Sequence, residues 1–92
     1  STWYKGGGYN KPYSTFNEYM TWSVFLLYAM ETYSVEEYGM IKNYIENFMV
    51  NKRGFYKFKA FNKELTRLYE KRSPGQTIVD LYEPIISWLQ IN

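Results

Sequence analysis

Nine carboxylates are the side chains best suited to acid–base or metal chemistry in this chain, because it has no histidine and no cysteine. Without them it cannot assemble a Ser-His-Asp triad, a Cys-His pair or a His-x-x-x-His metal site. That excludes the common hydrolase types for the chain on its own. Carboxylates alone suit hard cations better than zinc. A pair working as general acid and base must also converge on a cleft. Glu36 with Glu37, and Asp80 with Glu83, are close in sequence and sit at helix starts, where capping explains them. Glu18 is the carboxylate to weigh. It heads the most apolar stretch of the chain, beside Asn17 and one turn before Thr21 and Trp22.

That stretch, Ser14 to Tyr33, is expected to be a helix. Ser14 or Thr15 would be its N-cap, and Thr15-Phe16-Asn17-Glu18 fits a capping box, which gives Glu18 a structural role. Phe16, Tyr19, Met20, Val24, Phe25, Leu27, Tyr28 and Met30 cover too wide an arc for one buried stripe, so the helix needs neighbours on at least two sides. Ser34-Val35-Glu36-Glu37 is a second capping box. The helix after it carries Tyr38, Ile41, Ile45, Phe48 and Met49 on one face, with Glu36, Lys42, Asn43, Glu46 and Asn47 outward. Lys42 and Glu46 are expected to form a surface pair, and Asn51-Lys52-Arg53-Gly54 to end the helix with Gly54 in the left-handed closing position.

A third helix is expected from about Phe55 to Arg72. Its apolar face is Phe58, Phe61, Leu65, Leu68 and Tyr69, and Lys63, Arg67 and Lys71 form a basic ladder at i, i+4 and i+8. Ser73-Pro74-Gly75 breaks the chain. Thr77 to Asp80 starts a short helix near 77–82, and Pro84, at the first helical position, starts another that runs to Gln90. The fold class is therefore all-α: a small antiparallel helical bundle of three main helices plus a Pro-broken fourth. Residues 1–13, with Gly6, Gly7, Gly8 and Pro12 among Trp3, Tyr4, Tyr9 and Tyr13, form a Gly/Tyr-rich loop or extended arm ahead of a helical domain spanning 14–92. The glycine run lacks the strand and the Gly-Lys-Ser/Thr of a phosphate loop.

Charge and composition narrow the partners. The net charge of +2 is too small to imply nucleic acid, although residues 51–92 hold eight Lys and Arg against four Asp and Glu. Single-stranded nucleic acid would require exposed aromatics alternating with the basic ladder, and here the aromatics sit at core spacing, so a solvated face is favoured. No apolar run approaches membrane-spanning length, and Ser-Thr-Trp-Tyr-Lys-Gly-Gly-Gly is not a signal peptide. The chain does not begin with Met, so it is expected to be a piece of a longer polypeptide. Of the eleven tyrosines, most lie on apolar helix sides, which favours core positions, and those of the N-terminal arm are the first expected to be exposed.

Asn17-Glu18-Tyr19, the Gly54-Phe55 restart, Tyr69-Glu70-Lys71-Arg72 and the ending Tyr82-Glu83-Pro84-Ile85-Ile86 come in an order that resembles the C-terminal part of a family of uncharacterised bacterial secreted proteins. That family is itself similar to gluzincin-type zinc metallopeptidases. The resemblance implies a C-terminal helical subdomain of a secreted or cell-envelope peptidase acting on a peptide or protein. It would be inactive alone, since the H-E-x-x-H helix would lie in the parent polypeptide upstream of Ser1. It implies no cofactor in this chain by itself, zinc in the parent, and Glu18 as the third zinc ligand. The family often places Asp four residues after that ligand, where Trp22 stands here. Arg72, the charged end of the Tyr-Glu-x-Arg run, is expected to be structural. The alternative is a non-catalytic helical module that binds a protein or glycan through exposed aromatics.

Overall fold

The computed structural model describes residues 12–92, with side chains from residue 14 on, and the Gly/Tyr-rich arm expected before Pro12 lies outside the described residues. The fold is all-α. Helix α1 spans Pro12–Thr32 and α2 spans Val35–Asn47, running on into a π-helical turn over Phe48–Lys52. Helix α3 spans Phe58–Glu70, a 3₁₀ turn covers Ile78–Leu81, and α4 spans Tyr82–Ile91.

Local chemistry accounts for most boundaries. Ser34 accepts from the Glu37 N–H at 3.1 Å while the Glu37 carboxylate takes the Ser34 N–H at 3.2 Å, satisfying two orphan donors reciprocally. Thr77 and Asp80 make the corresponding box before the 3₁₀ turn. Gly54 closes the second helical segment with φ of 79°, a left-handed conformation open to glycine at little cost.

Three boundaries differ from expectation. Helix α1 begins at Pro12, so Thr15 lies within it, buried, and no capping box joins it to Glu18. Helix α3 begins at Phe58 because the Phe55–Lys57 segment is a turn, held by the Phe58 N–H to the Phe55 carbonyl. Pro84 is the third residue of α4, not the first. Its missing N–H still falls in the first turn, where no carbonyl of the helix would accept it.

Side-chain contacts give the topology. Tyr19, Ser23 and Glu31 of α1 face Phe58, Asn62 and Tyr69 of α3 in the same order, so α1 and α3 run parallel. Helix α2 runs opposite to both, and α4 returns antiparallel to α3, with Trp88 against Phe61 and the Lys57 ammonium donating to the Asn92 carbonyl. The core sits where α1 meets the start of α3. Tyr19, fully buried, packs edge-on against Phe55 and Phe61 and tilted against Phe58, with centroids 5.3–6.0 Å away. Met49, Leu65, Leu81 and Ile85 complete it.

Candidate functional site

Glu18 projects from α1 to the end of the π-helical turn, where its carboxylate meets the Arg53 guanidinium at 2.6 Å. The turn and Gly54 set this up: the Arg53 N–H bonds the Phe48 carbonyl, and the guanidinium sits 5.1 Å from the centroid of the Phe55 ring. Both side chains are about a quarter exposed, at 23% and 27%. The pair ties α1 to the connection between α2 and α3, a contact 35 residues apart in sequence and invisible to local reading. Asn17 and Thr21 are solvent-exposed, while Ser23 is buried and bonded elsewhere. Among the described residues no group of three His, Cys, Asp or Glu stands close enough to hold a metal ion. Of the acids expected to cap helix starts, Glu37 and Asp80 do so, while Glu36 and Glu83 face solvent. Arg72 donates to the Tyr69 carbonyl and lies 3.6 Å over the Tyr69 ring, a structural contact.

The surface pair expected of Lys42 and Glu46 proves to be one edge of a buried polar relay. Glu46 is nearly buried, and Lys42 approaches it only to 3.9 Å. Fully buried Asn62 donates to the Glu46 carboxylate at 3.2 Å and accepts from the Ser23 hydroxyl at 2.7 Å. One side chain from each of α1, α2 and α3 therefore meets at a single point, and each group has a partner. Glu46 also borders an open depression, but each group is bonded within the relay, and its role is structural: it fixes the register of three helices.

The basic ladder Lys63, Arg67 and Lys71 is exposed on α3. With Lys42, Lys59, Trp88 and three carboxylates it lines an open depression of about 760 Å³. Arg67 is committed to a two-point bond with Glu64 at 2.9 and 2.6 Å, and that bond holds the Glu64 carboxyl below its ordinary pKa. Glu46, Glu64 and Glu70 dilute the positive field. The depression is a solvated, mixed-charge face. Thr66 Oγ1, buried beside it, has no hydrogen-bond partner, and nothing in the structure explains that.

A fourth feature was missed by the sequence reasoning. The relay defines which way α1 and α2 point toward α3, through Ser23 and Glu46. At 100° per residue, Phe25 and Tyr28 lie 140–160° round α1 from Ser23, and Tyr44 and Phe48 lie about 160° round α2 from Glu46. All four therefore share the outer face of the α1–α2 hairpin, away from α3. Tyr28 is 59% exposed, Met40 63% and Tyr44 68%, with Phe25 and Phe48 less so. The Tyr44 and Phe48 rings are stacked, 12° apart in plane, and Trp22 packs edge-on to Phe25.

No family model, curated protein or solved structure matches this chain.

The core reading of the tyrosines fails for half of those whose side chains are described. Only Tyr19 is fully buried, and Tyr28, Tyr33, Tyr44 and Tyr82 are exposed. Two signals could have exposed this. Residues 19–30 contain no charged side chain, more apolar girth than a domain of this size can cover. Met40, Tyr44 and Phe48 also form a second i, i+4, i+8 stripe beside the Tyr38–Ile41–Ile45 one.

Proposed function

We propose that this chain is a non-catalytic helical module that binds a partner protein through the outer face of its α1–α2 hairpin. One observation carries this: five large apolar side chains, Phe25, Tyr28, Met40, Tyr44 and Phe48, stand exposed together on one face. Aromatic side chains present roughly 150–250 Å² each, so the exposed fractions of the five come to roughly 500–600 Å², the upper end of what monomeric proteins leave uncovered. Stacked rings beside Met and Ile suit an apolar protein surface. A sugar site would need hydrogen-bonding groups converging beside a ring.

A photoreactive phenylalanine placed at residue 28 or 44 is expected to give discrete covalent adducts in the living cell, and one placed at the solvent-facing Asn43 is expected to give none. Phe25→Ser with Phe48→Ser should abolish the adducts and leave helix content unchanged. Absence of adducts from both positions would count against the proposal.

The metallopeptidase subdomain is supported by the family resemblance alone. It would require Glu18 to leave Arg53 for zinc. Glu18→Ala is expected to cost under about 1 kcal/mol, since the ion pair is partly exposed, and to leave the zinc content of the purified full-length gene product unchanged. Loss of bound zinc in that variant would transfer the assignment to the peptidase.

A further inference from the structure

We propose that the partner seated on the outer face is a second copy of this chain, packed α2 against α2 about a twofold axis beside Tyr44. The proposal rests on the interaction-module function and names its occupant. Along α2 the outward seam runs Glu37, Tyr44, Phe48 and Lys52, spaced seven, four and four residues apart, which keeps it on one helix face, with half-buried Ile41, packed on the core, at its inner edge. Its ends carry opposite charge. Glu37 is exposed in the acidic first turn of α2, and Lys52 is exposed at the end of the π-helical turn.

A twofold axis runs two copies of a helix antiparallel and pairs each residue with its mirror in register. One register serves the whole seam. It sets Glu37 of each copy against Lys52 of the other and Phe48 over the exposed edge of half-buried Ile41, and it brings the two Tyr44 rings together at the axis. Antiparallel packing also places each acidic helix start beside the other copy's carbonyl-rich end, so the opposed pairs fit the helix dipoles. Phe25 and Tyr28 border the seam from α1, where no charge would have to be desolvated between Glu18 and Glu31. Two such faces bury roughly 1,000–1,200 Å², the low end for a specific interface. A reversible dimer of micromolar affinity is expected, not an obligate one.

Sedimentation equilibrium of the intact chain, from about 1 µM to about 1 mM, reads the result directly. The wild type is expected to pass from monomer to dimer with a Kd of about 10–100 µM. Tyr44→Glu sets two carboxylates at the axis and should weaken the dimer at least about tenfold. Lys52→Glu should weaken it several-fold, and adding Glu37→Lys should restore most of the loss. Circular dichroism guards against misfolding, because Glu37→Lys also removes a cap. A wild type that stays monomeric throughout, a Tyr44→Glu chain that dimerises undiminished, or a charge swap that fails to rescue would each overturn the dimer. Crosslinks from residue 44 to a protein of another mass, with a monomeric wild type, would overturn the second copy as occupant and leave the module standing. No crosslink and no dimer would overturn both.

Discussion

Tyr19→Ala is expected to cost about 3–5 kcal/mol, the largest loss from any single substitution in this chain. The ring is fully buried and touches Phe55, Phe58 and Phe61 at once, so its removal opens a cavity where α1 meets α3. Domains of this size hold only about 5–15 kcal/mol in total, so a visible unfolded population should appear at 37 °C. Tyr19→Phe keeps the packing and should cost only about 0.5–1.5 kcal/mol, because the Lys57 N–H loses the phenolic oxygen it donates to at 3.3 Å. Urea unfolding followed by circular dichroism measures both. A loss under about 1.5 kcal/mol in Tyr19→Ala would mean that this cluster does not hold α1 on α3.

Alkaline pH supplies a second readout of the same site. Burial raises the Tyr19 phenol well above the ordinary tyrosine value, with the bond from Lys57 acting weakly the other way. The folded chain therefore keeps its proton at a pH where the unfolded chain has released it. Stability from this group is complete below about pH 10 and falls as pH rises beyond it, by up to about 1.4 kcal/mol per pH unit. Tyr38 is raised by burial and by Glu46 and Glu70, and Tyr69 chiefly by its bond to Glu31, so both add to the trend. Tyr19→Phe should visibly flatten the alkaline limb of a stability–pH curve.

The second large effect is expected at Asn62. Asn62→Ala should cost about 2–4 kcal/mol, since it strands two buried groups, the Glu46 carboxylate and the Ser23 hydroxyl. Among the described residues the cation paired with Glu46 is Lys42, which stands 3.9 Å off and is itself partly solvated. Leaving a charge unpaired is what costs; the relay itself contributes little net stability. Asn62→Leu with Glu46→Leu and Ser23→Ala should therefore recover much of the loss by replacing all three partners with apolar groups. An Asn62→Ala chain within about 1 kcal/mol of wild type would show that water or a rearranged side chain satisfies the relay.

The proposed binding face follows from where these elements leave their surplus surface. The relay and the Tyr19 cluster together consume the α3-facing sides of α1 and α2. Fixing those sides fixes the opposite ones, which is why Phe25, Tyr28, Tyr44 and Phe48 are left outside. The Glu18–Arg53 pair acts in the same sense, holding α1 against the end of the π-helical turn from which Lys52 projects. The exposed apolar face and the core are thus two sides of one register.

Local chemistry was legible at most boundaries. The boxes Ser34–Glu37 and Thr77–Asp80, the left-handed Gly54, the break at Ser73-Pro74-Gly75 and the all-α class follow from interactions within four residues, which the chain states directly. The fate of α1's girth was half legible: residues 19–30 without a charge demanded cover on several sides, and three helices could supply only part of it. What lay beyond the sequence was every polar side chain whose partner sits 16 to 39 positions away. Periodicity put Glu46 outward because it is charged, yet Asn62 draws it in. A capping box claimed Glu18 because three residues separate it from Thr15, yet Arg53 reaches it across the fold. Which segments are helical was legible because helix and turn formation is settled by backbone hydrogen bonds close at hand, although α1, α3 and α4 start away from the expected residues. Which side of each helix is core was not legible, because a half-apolar face is buried or exposed according to the neighbour that arrives, and neighbours are set by contacts among all the helices at once.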